Sequence, residues 1–244
     1  MTGHTAPEGA ADTERADALP LVVDALLLDL DGTLIDSGPA VIRSWNRVLA
    51  ELGTGRTFSD EFHGIPARAT LRSILPDASE EEVDDAFRRV EDAEAADVED
   101  IAVLPGTARV LAELDAAAQE LGRPTWAIVT SCTQRLFGAR WGATGLPDPE
   151  VLVTADRVSA GKPDPEPFAL GAELLGVEPG AALAIEDSAG GLRSARDAGA
   201  RTLAVTTTTS AADLRPLAEA LVTSLDDIEV TVADGRLVVD RRGR

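Results

Sequence analysis

The chain has 244 residues, of which 44% are hydrophobic, enough for one large domain or for one domain with an insertion. It carries 22 basic and 43 acidic residues, which gives a formal net charge of -21. This balance argues against a nucleic-acid partner and against docking on an anionic membrane surface, because both need a basic footprint. A small anionic substrate stays compatible with it, since a local positive pocket can override the global field.

Two further features bear on location and cross-links. The single cysteine, Cys132, excludes an internal disulfide framework and a cysteine-rich metal site. No apolar run approaches the roughly 20 residues of a membrane-spanning helix, and the N-terminal segment lacks the basic and apolar regions of a signal peptide. We therefore expect a cytoplasmic protein in which residues 1–18 form a disordered, acidic and alanine-rich tail.

Short apolar runs that alternate with helical patterns predict the fold class. The runs are DALLLDL (24–30), TWAIVT (125–130), VLVTA (151–155), ALAIED (182–187) and TLAVTT (202–207), and a helical pattern over 210–222 follows the last of them. Runs without alternation suit strands that are covered on both faces. Their alternation with helices predicts an α/β fold with a doubly wound parallel sheet.

The section from 38 to 102 does not follow this alternation of strands and helices, because it contains successive helical patterns and no strong strand candidate. It predicts an all-helical cap domain inserted after the first strand, so that 19–37 and 103–244 form the core. The last segment, IEVTVADGRLVVD (228–240), alternates around Asp-Gly and predicts a C-terminal β-hairpin.

Two carboxylates follow the first predicted strand. Ligands of open parallel sheets bind beyond the carboxyl ends of the strands, and residues i and i+2 of an extended segment point to the same side. Asp29 and Asp31 are therefore expected to face one ligand, with Gly32 and the Thr33 hydroxyl shaping the turn behind them. Thr33 is also a candidate phosphate-binding residue. Such a pair suits a nucleophile beside an acid/base, and a divalent cation such as Mg²⁺ would relieve its repulsion.

The other strand ends carry complementary groups. Thr130 and Ser131 supply hydroxyls that can donate to phosphate oxygens, and Lys162 supplies a positive charge within a proline-bounded turn. Glu186 and Asp187 supply further oxygen ligands for a metal ion. The sequence thus predicts one site assembled from several strand ends, with a nucleophile, an acid/base, hydroxyl donors, a cation and a metal cage.

This ordered set resembles the four motifs of the haloacid dehalogenase superfamily of phosphotransferases, which span residues 24 to about 208 here. The resemblance implies a Rossmannoid core with a helical cap, and an aspartyl-phosphate intermediate on Asp29. Asp31 would protonate the leaving oxygen and then activate water. Thr130 is favoured as the hydroxyl residue of the second motif, with Ser131 contributing its N–H or hydroxyl.

The resemblance also implies which residues bind the metal ion and the phosphoryl group. It implies that Asp29, the main-chain carbonyl of Asp31 and Asp187 hold Mg²⁺, with Glu186 bound directly or through water. Lys162 would bind the phosphoryl group.

Within the superfamily, the sequence is similar to the branch that holds β-phosphoglucomutase and small sugar phosphatases. The segment HGIPARATL (63–71) resembles the cap of 2-deoxyglucose-6-phosphate and glycerol-3-phosphate phosphatases. The mutases carry a histidine twelve residues past the nucleophile, where this chain has Val41. We therefore expect a phosphatase of small phosphorylated metabolites, sugar or polyol phosphates. A phosphomutase and a catalytically silent binding module are the alternatives.

Two cap residues are candidate substrate contacts. His63 lies in the resembling segment, although a single cap histidine is as often a surface or packing residue. Arg68 has the reach for an anionic or polyol substrate, or for one of the many cap carboxylates. The sequence leaves the oligomeric state open, with a monomer favoured.

Overall fold

The computed structural model describes residues 18–59 and 67–243. The predicted tail, apart from residue 18, and His63 lie outside these ranges. The strands are β1 (Leu21–Val23), β2 (Ala25–Leu28), β3 (Ile35–Asp36), β4 (Ala102–Val103), β5 (Trp126–Val129), β6 (Leu152–Val153), β7 (Ala182–Glu186), β8 (Arg201–Val205), β9 (Ala220–Val222), β10 (Ile228–Ala233) and β11 (Arg236–Arg241). The α-helices are α1 (Gly38–Glu51), α2 (Ala67–Ile74), α3 (Glu80–Ala96), α4 (Thr107–Leu121), α5 (Gln134–Gly142), α6 (Glu166–Leu175), α7 (Ala189–Asp197) and α8 (Ala211–Leu214).

A six-stranded parallel sheet lies at the centre, with the strand order β6-β5-β2-β7-β8-β9. Helices cover both of its faces, which confirms the predicted α/β class. The central strand β2 explains why its apolar run does not alternate. Leu26 and Leu28 pack with α4 and α5 on one face, whereas Ala25 and Leu27 pack with α6 on the other. All four side chains are fully buried.

The helices α1 to α3 lie between β3 and β4 in the chain and have a hydrophobic core of their own. Trp45, Leu49, Leu71 and Val83 belong to this core, which is separate from the two clusters on the sheet. The helix α3 begins with a capping box in which Ser79 and Glu82 bond each other's backbone N–H groups. The short strands β3 and β4 pair antiparallel, so that the chain enters and leaves this helical insertion side by side. The insertion therefore sits next to the end of β2.

The predicted C-terminal hairpin is present as β10 and β11. Asp234 and Gly235 both have positive φ at its turn, as a tight two-residue hairpin connection requires. The strand β11 also pairs antiparallel with β1, which gives a separate three-stranded sheet. The strand β1 is absent from the sequence prediction, because a three-residue strand has no periodicity to detect.

The prediction of a helix over 210–222 is wrong for most of that segment. The helix α8 ends at Leu214, and β9 forms the edge strand of the parallel sheet beside β8. Pro216 gives the physical reason, since proline lacks the N–H that a helix interior needs and clashes with the preceding turn. None of the helices in the described ranges combines the length and the apolar character that a membrane crossing requires.

The packing of β2 makes a stability prediction. Leu27→Ala should lower the free energy of unfolding by about 2–5 kcal/mol, because it empties a fully buried site next to Gly171 and Val129. Leu174→Ala makes the same chemical change on α6 at a side chain that is 39% exposed, and it should cost about 0.5 kcal/mol or less. Urea denaturation of both variants measures the difference. Equal losses would contradict the burial of β2.

Candidate active site

Asp29 and Asp31 follow β2 and line one cavity of about 600 Å³ between the sheet and the helical insertion. The turn behind them depends on Gly32, which has a φ of +84°. A Cβ at this position would lie 2.1 Å from the Asp187 Oδ2 atom. Glycine is therefore required both by the left-handed backbone and by the close approach of the neighbouring carboxylate.

Lys162 lies between two buried carboxylates. Its Nζ donates to Asp29 Oδ1 at 2.6 Å, to Glu186 Oε1 at 2.8 Å and to the carbonyl of Val129 at 2.8 Å. Burial alone would lower the pKa of this ammonium group, but the two carboxylates outweigh burial and raise the pKa. Lys162 therefore keeps its positive charge inside the protein.

Glu186 and Asp187 stand at the carboxyl end of β7, the strand next to β2. Glu186 Oε2 accepts hydrogen bonds from the backbone N–H groups of Asp187 at 3.0 Å and Ser188 at 2.9 Å. Asp187 accepts from Thr33 Oγ1 at 3.4 Å and from Thr208 Oγ1. Both carboxylates are therefore held in place by the turns around them.

The cluster fits a divalent cation. Asp29, Glu186 and Asp187 each offer a carboxylate oxygen, and these oxygens lie within 4.8 Å of one another. Among the described residues, these three buried carboxyl groups share one ammonium, that of Lys162, so their remaining negative charge must be offset by a bound cation or by protons. Burial, and next the neighbouring Glu186 and Asp29, raise the pKa of Asp187 well above its usual range. Burial also raises the pKa of Asp29 to about 7 in spite of Lys162. An all-oxygen site of this charge suits Mg²⁺.

Asp31 has a different environment from Asp29. Its Oδ1 accepts from Ser37 Oγ at 2.6 Å, and its Oδ2 accepts from Arg140 Nη1 at 2.9 Å and from Cys132 Sγ at 3.1 Å. Burial first, and then the charge of Asp31, raise the pKa of the Cys132 thiol well above its usual value. The thiol therefore stays protonated.

Thr130 and Ser131 follow β5 and line the same cavity. Thr130 is buried, and its Oγ1 accepts from the backbone N–H of Cys132 at 3.1 Å. Ser131 is exposed toward the cavity. The structure thus brings together the predicted residues from the strand ends, and the choice between the two hydroxyls stays a prediction.

The helical insertion supplies the other wall of the cavity. Trp45, Phe58 and Phe87 give it an apolar surface, and Glu91 and Glu94 add two carboxylates. Arg68 also lines the cavity, but it pairs with Asp84 and lies 4.7 Å from the centre of the Phe87 ring. Arg68 therefore lies where it can reach a ligand in the cavity and also pairs with a carboxylate of the insertion, which are the two roles that the sequence leaves open.

Arg140, Glu94, Ser37 and Thr208 are site residues that the sequence analysis did not identify. Arg140 and Glu94 lie on helices, and no local motif marks them. Ser37 has the stronger sequence signal, because it is the N-cap of α1 and stands six residues after Asp31.

Comparison with known proteins agrees with this arrangement. The family model of the haloacid dehalogenase-like hydrolases matches residues 26–205. The chain belongs to this family. It is 40% identical over 206 residues to hexitol phosphatase A of Escherichia coli, covering 84% of this chain and 93% of that protein. It is 27% identical to 2-deoxyglucose-6-phosphate phosphatase 1 of Saccharomyces cerevisiae, covering 75% of this chain and 80% of that protein.

A solved structure shares the fold. The crystal structure of CbbY from Rhodobacter sphaeroides in complex with phosphate superimposes with a TM-score of 0.71 at 27% identity, covering 83% of this chain and 95% of that chain. These relatives are consistent with the predicted β-phosphoglucomutase-like branch and with its sugar phosphatases.

The raised pKa of Asp29 predicts pH-dependent cation binding. Below a pH of about 7 the carboxyl group holds a proton that an incoming cation must displace. The affinity for Mg²⁺ should therefore rise between about pH 6 and about pH 8, by about tenfold per unit where one proton is released. Isothermal titration calorimetry in two buffers measures the affinity and the released protons. An affinity that is constant over this range would contradict the prediction.

Gly191 tests the position of Glu186. A Cβ at Gly191 would lie 1.7 Å from Glu186 Oε1, so Gly191→Ala should displace the carboxylate and weaken Mg²⁺ binding by about tenfold or more. Gly138→Ala in α5 is the matched control, because nothing lies within 4 Å of the added methyl group. Calorimetry on both variants gives the comparison. Equal affinities would show that Glu186 does not depend on this glycine.

Proposed function

We propose that the protein is a Mg²⁺-dependent phosphatase that hydrolyses phosphate monoesters of small sugars or polyols. The observation that carries the proposal is the placement of Asp29 and Asp31 at one strand end, facing one cavity. They have different partners there, since Asp29 contacts Lys162 and Asp31 contacts Ser37 and Arg140. Two carboxylates in different environments suit two different chemical roles.

In the first step a carboxylate oxygen of Asp29 attacks the phosphorus of the substrate. The bond between the phosphorus and the ester oxygen breaks, and the leaving oxygen takes a proton from Asp31. The sugar or polyol departs, and Asp29 carries the phosphoryl group as an acyl phosphate. In the second step Asp31 takes a proton from a water molecule that attacks the phosphorus, which releases inorganic phosphate and restores Asp29.

The remaining site residues hold the phosphoryl group. Lys162 lies within hydrogen-bond distance of Asp29 and offers positive charge to the phosphoryl oxygens. Thr130 and Ser131 line the cavity and offer hydroxyl or N–H donors to the same oxygens. Asp29, Asp187, the carbonyl of Asp31 and Glu186, directly or through water, would hold Mg²⁺. When bound, this cation supplies charge that offsets the negative phosphoryl group.

The cavity supports the substrate class. A volume of about 600 Å³ lies in the range typical of small-ligand sites. Glu91 can accept hydrogen bonds from substrate hydroxyls, and the aromatic side chains nearby can cover carbon atoms. The similarity to hexitol phosphatase A, at 40% identity, favours a phosphorylated polyol.

The alternatives have less support. Val41 lines the cavity at the position where the mutases carry a histidine, and its apolar side chain has no proton to exchange. A silent binding module would be expected to lack one of the four motifs, and this chain retains all of them. A cytoplasmic location, a monomeric state and the absence of a nucleic-acid partner stay predictions from the composition.

Asp29→Asn tests the proposed nucleophile. The variant should lose phosphate release by about 10³-fold or more, because an amide cannot form the acyl phosphate. The assay measures inorganic phosphate from a panel of hexitol, hexose and glycerol phosphates with Mg²⁺, and again after chelation by EDTA. Asp148→Asn changes an exposed aspartate in the same way and should leave the activity unchanged. Retained activity in Asp29→Asn would contradict the proposed function.

A further inference from the structure

Arg140 is a buried arginine that joins three separate parts of the chain. Only 5% of the residue is exposed, and it belongs to α5 in the core. Its Nη1 donates to Asp31 Oδ2 at 2.9 Å, and its Nη2 donates to Glu94 Oε2 at 2.8 Å. A buried guanidinium is costly unless carboxylates pair with it, and here one carboxylate lies on each side.

The pairing with Glu94 extends into the helical insertion. Glu94 lies on α3 and is also buried. Its second oxygen, Oε1, accepts from the indole Nε1 of Trp45 on α1 at 2.6 Å. A continuous chain of hydrogen bonds therefore runs from Trp45 in the core of the insertion through Glu94 and Arg140 to Asp31.

Both oxygens of Asp31 are held by this arrangement. Ser37 Oγ donates to Oδ1 at 2.6 Å, and Arg140 Nη1 donates to Oδ2 together with Cys132 Sγ. A carboxylate with a partner on each oxygen cannot turn freely about its Cβ–Cγ bond. Such restriction matters for an acid/base, because a small misplacement of a group that transfers protons lowers the rate steeply.

A second contact between the same two helices provides a contrast. Arg135 of α5 pairs with Asp92 of α3, and the two side chains are 61% and 62% exposed. This pair does not contact Asp31, and exposed ion pairs of this type contribute little to stability. Thr133, the N-cap of α5, also donates to Glu91 of α3, but that hydrogen bond does not involve Asp31. Among these contacts between the described residues, the one through Arg140 reaches Asp31 directly.

We propose that Arg140 is a positioning residue that fixes the carboxylate of Asp31, and that this position depends on the helical insertion through Glu94. The inference rests on the proposed function, in which Asp31 protonates the leaving oxygen. Loss of Arg140 should then matter most for substrates whose leaving oxygen needs a proton. It should matter least for substrates whose leaving group departs as a stable anion.

Two aryl phosphates that differ in the basicity of the leaving oxygen test this dependence on protonation, and neither has a polyol chain that could contact the insertion. Phenyl phosphate has a leaving group that needs protonation, and 2,4-dinitrophenyl phosphate has one that does not. In Arg140→Gln, kcat/KM for phenyl phosphate should fall by about tenfold or more beyond any fall for 2,4-dinitrophenyl phosphate. Glu94→Gln should shift the ratio in the same direction by a smaller factor. Arg140→Lys should recover part of the loss.

Arg135→Gln on the same helix is the control and should leave the ratio of the two kcat/KM values unchanged. Circular dichroism and the thermal midpoint report whether each variant folds. If Arg140→Gln does not fold, the same comparison of the two substrates is made with Arg140→Lys and Glu94→Gln. Equal losses on both substrates, or no loss, would overturn the positioning role while the proposed function stands. A wild-type protein that releases phosphate neither from these two substrates nor from the hexitol, hexose and glycerol phosphates would overturn both.

Discussion

The burial of three carboxylates around one lysine is the constraint on which the rest of the site depends. Asp29, Glu186 and Asp187 converge because β2 and β7 are neighbours whose carboxyl ends meet at the same edge of the sheet. Lys162 offsets part of their charge from the turn before α6. The remaining charge is tolerable only where a cation compensates it or where a carboxyl group holds a proton. Much of the surrounding sequence serves this arrangement, since Gly32 and Gly191 leave room for two of these carboxylates.

The helical insertion forms the other wall of the site. It covers the end of β2 with apolar and aromatic side chains and forms one wall of a cavity of about 600 Å³. Apolar walls lower the local dielectric and strengthen the electrostatic interactions beside them. The insertion also contacts the core through polar pairs between α3 and α5, of which the pair of Glu94 and Arg140 is buried. The cavity and the candidate acid/base therefore depend on the same helix.

The sequence predicts the part of the site that follows from strand order. Asp29, Lys162 and Asp187 could be placed together because each follows or adjoins a buried apolar run, and such runs form one parallel sheet. Arg140 could not be found in this way. It stands 109 positions from Asp31 and 46 from Glu94, on a helix whose orientation is decided by packing. The edge strand β9 was missed because the apolar spacing of 210–222 suits a helix. Pro216 ends that helix early, and tertiary pairing with β8 makes the rest of the segment a strand. The role of His63 stays a prediction, since it lies outside the described residues.

The central claim is that Asp29 carries the phosphoryl group during turnover, and chemical trapping tests it directly. The protein would be mixed with a hexitol phosphate and Mg²⁺, quenched in acid, and treated with borohydride, which reduces an acyl phosphate to an alcohol. Mass spectrometry of the peptide that spans β2 should then find homoserine at position 29, in a fraction that depends on substrate. The reduced residue at position 31, or an unmodified peptide from an enzyme that is turning over, would contradict the account.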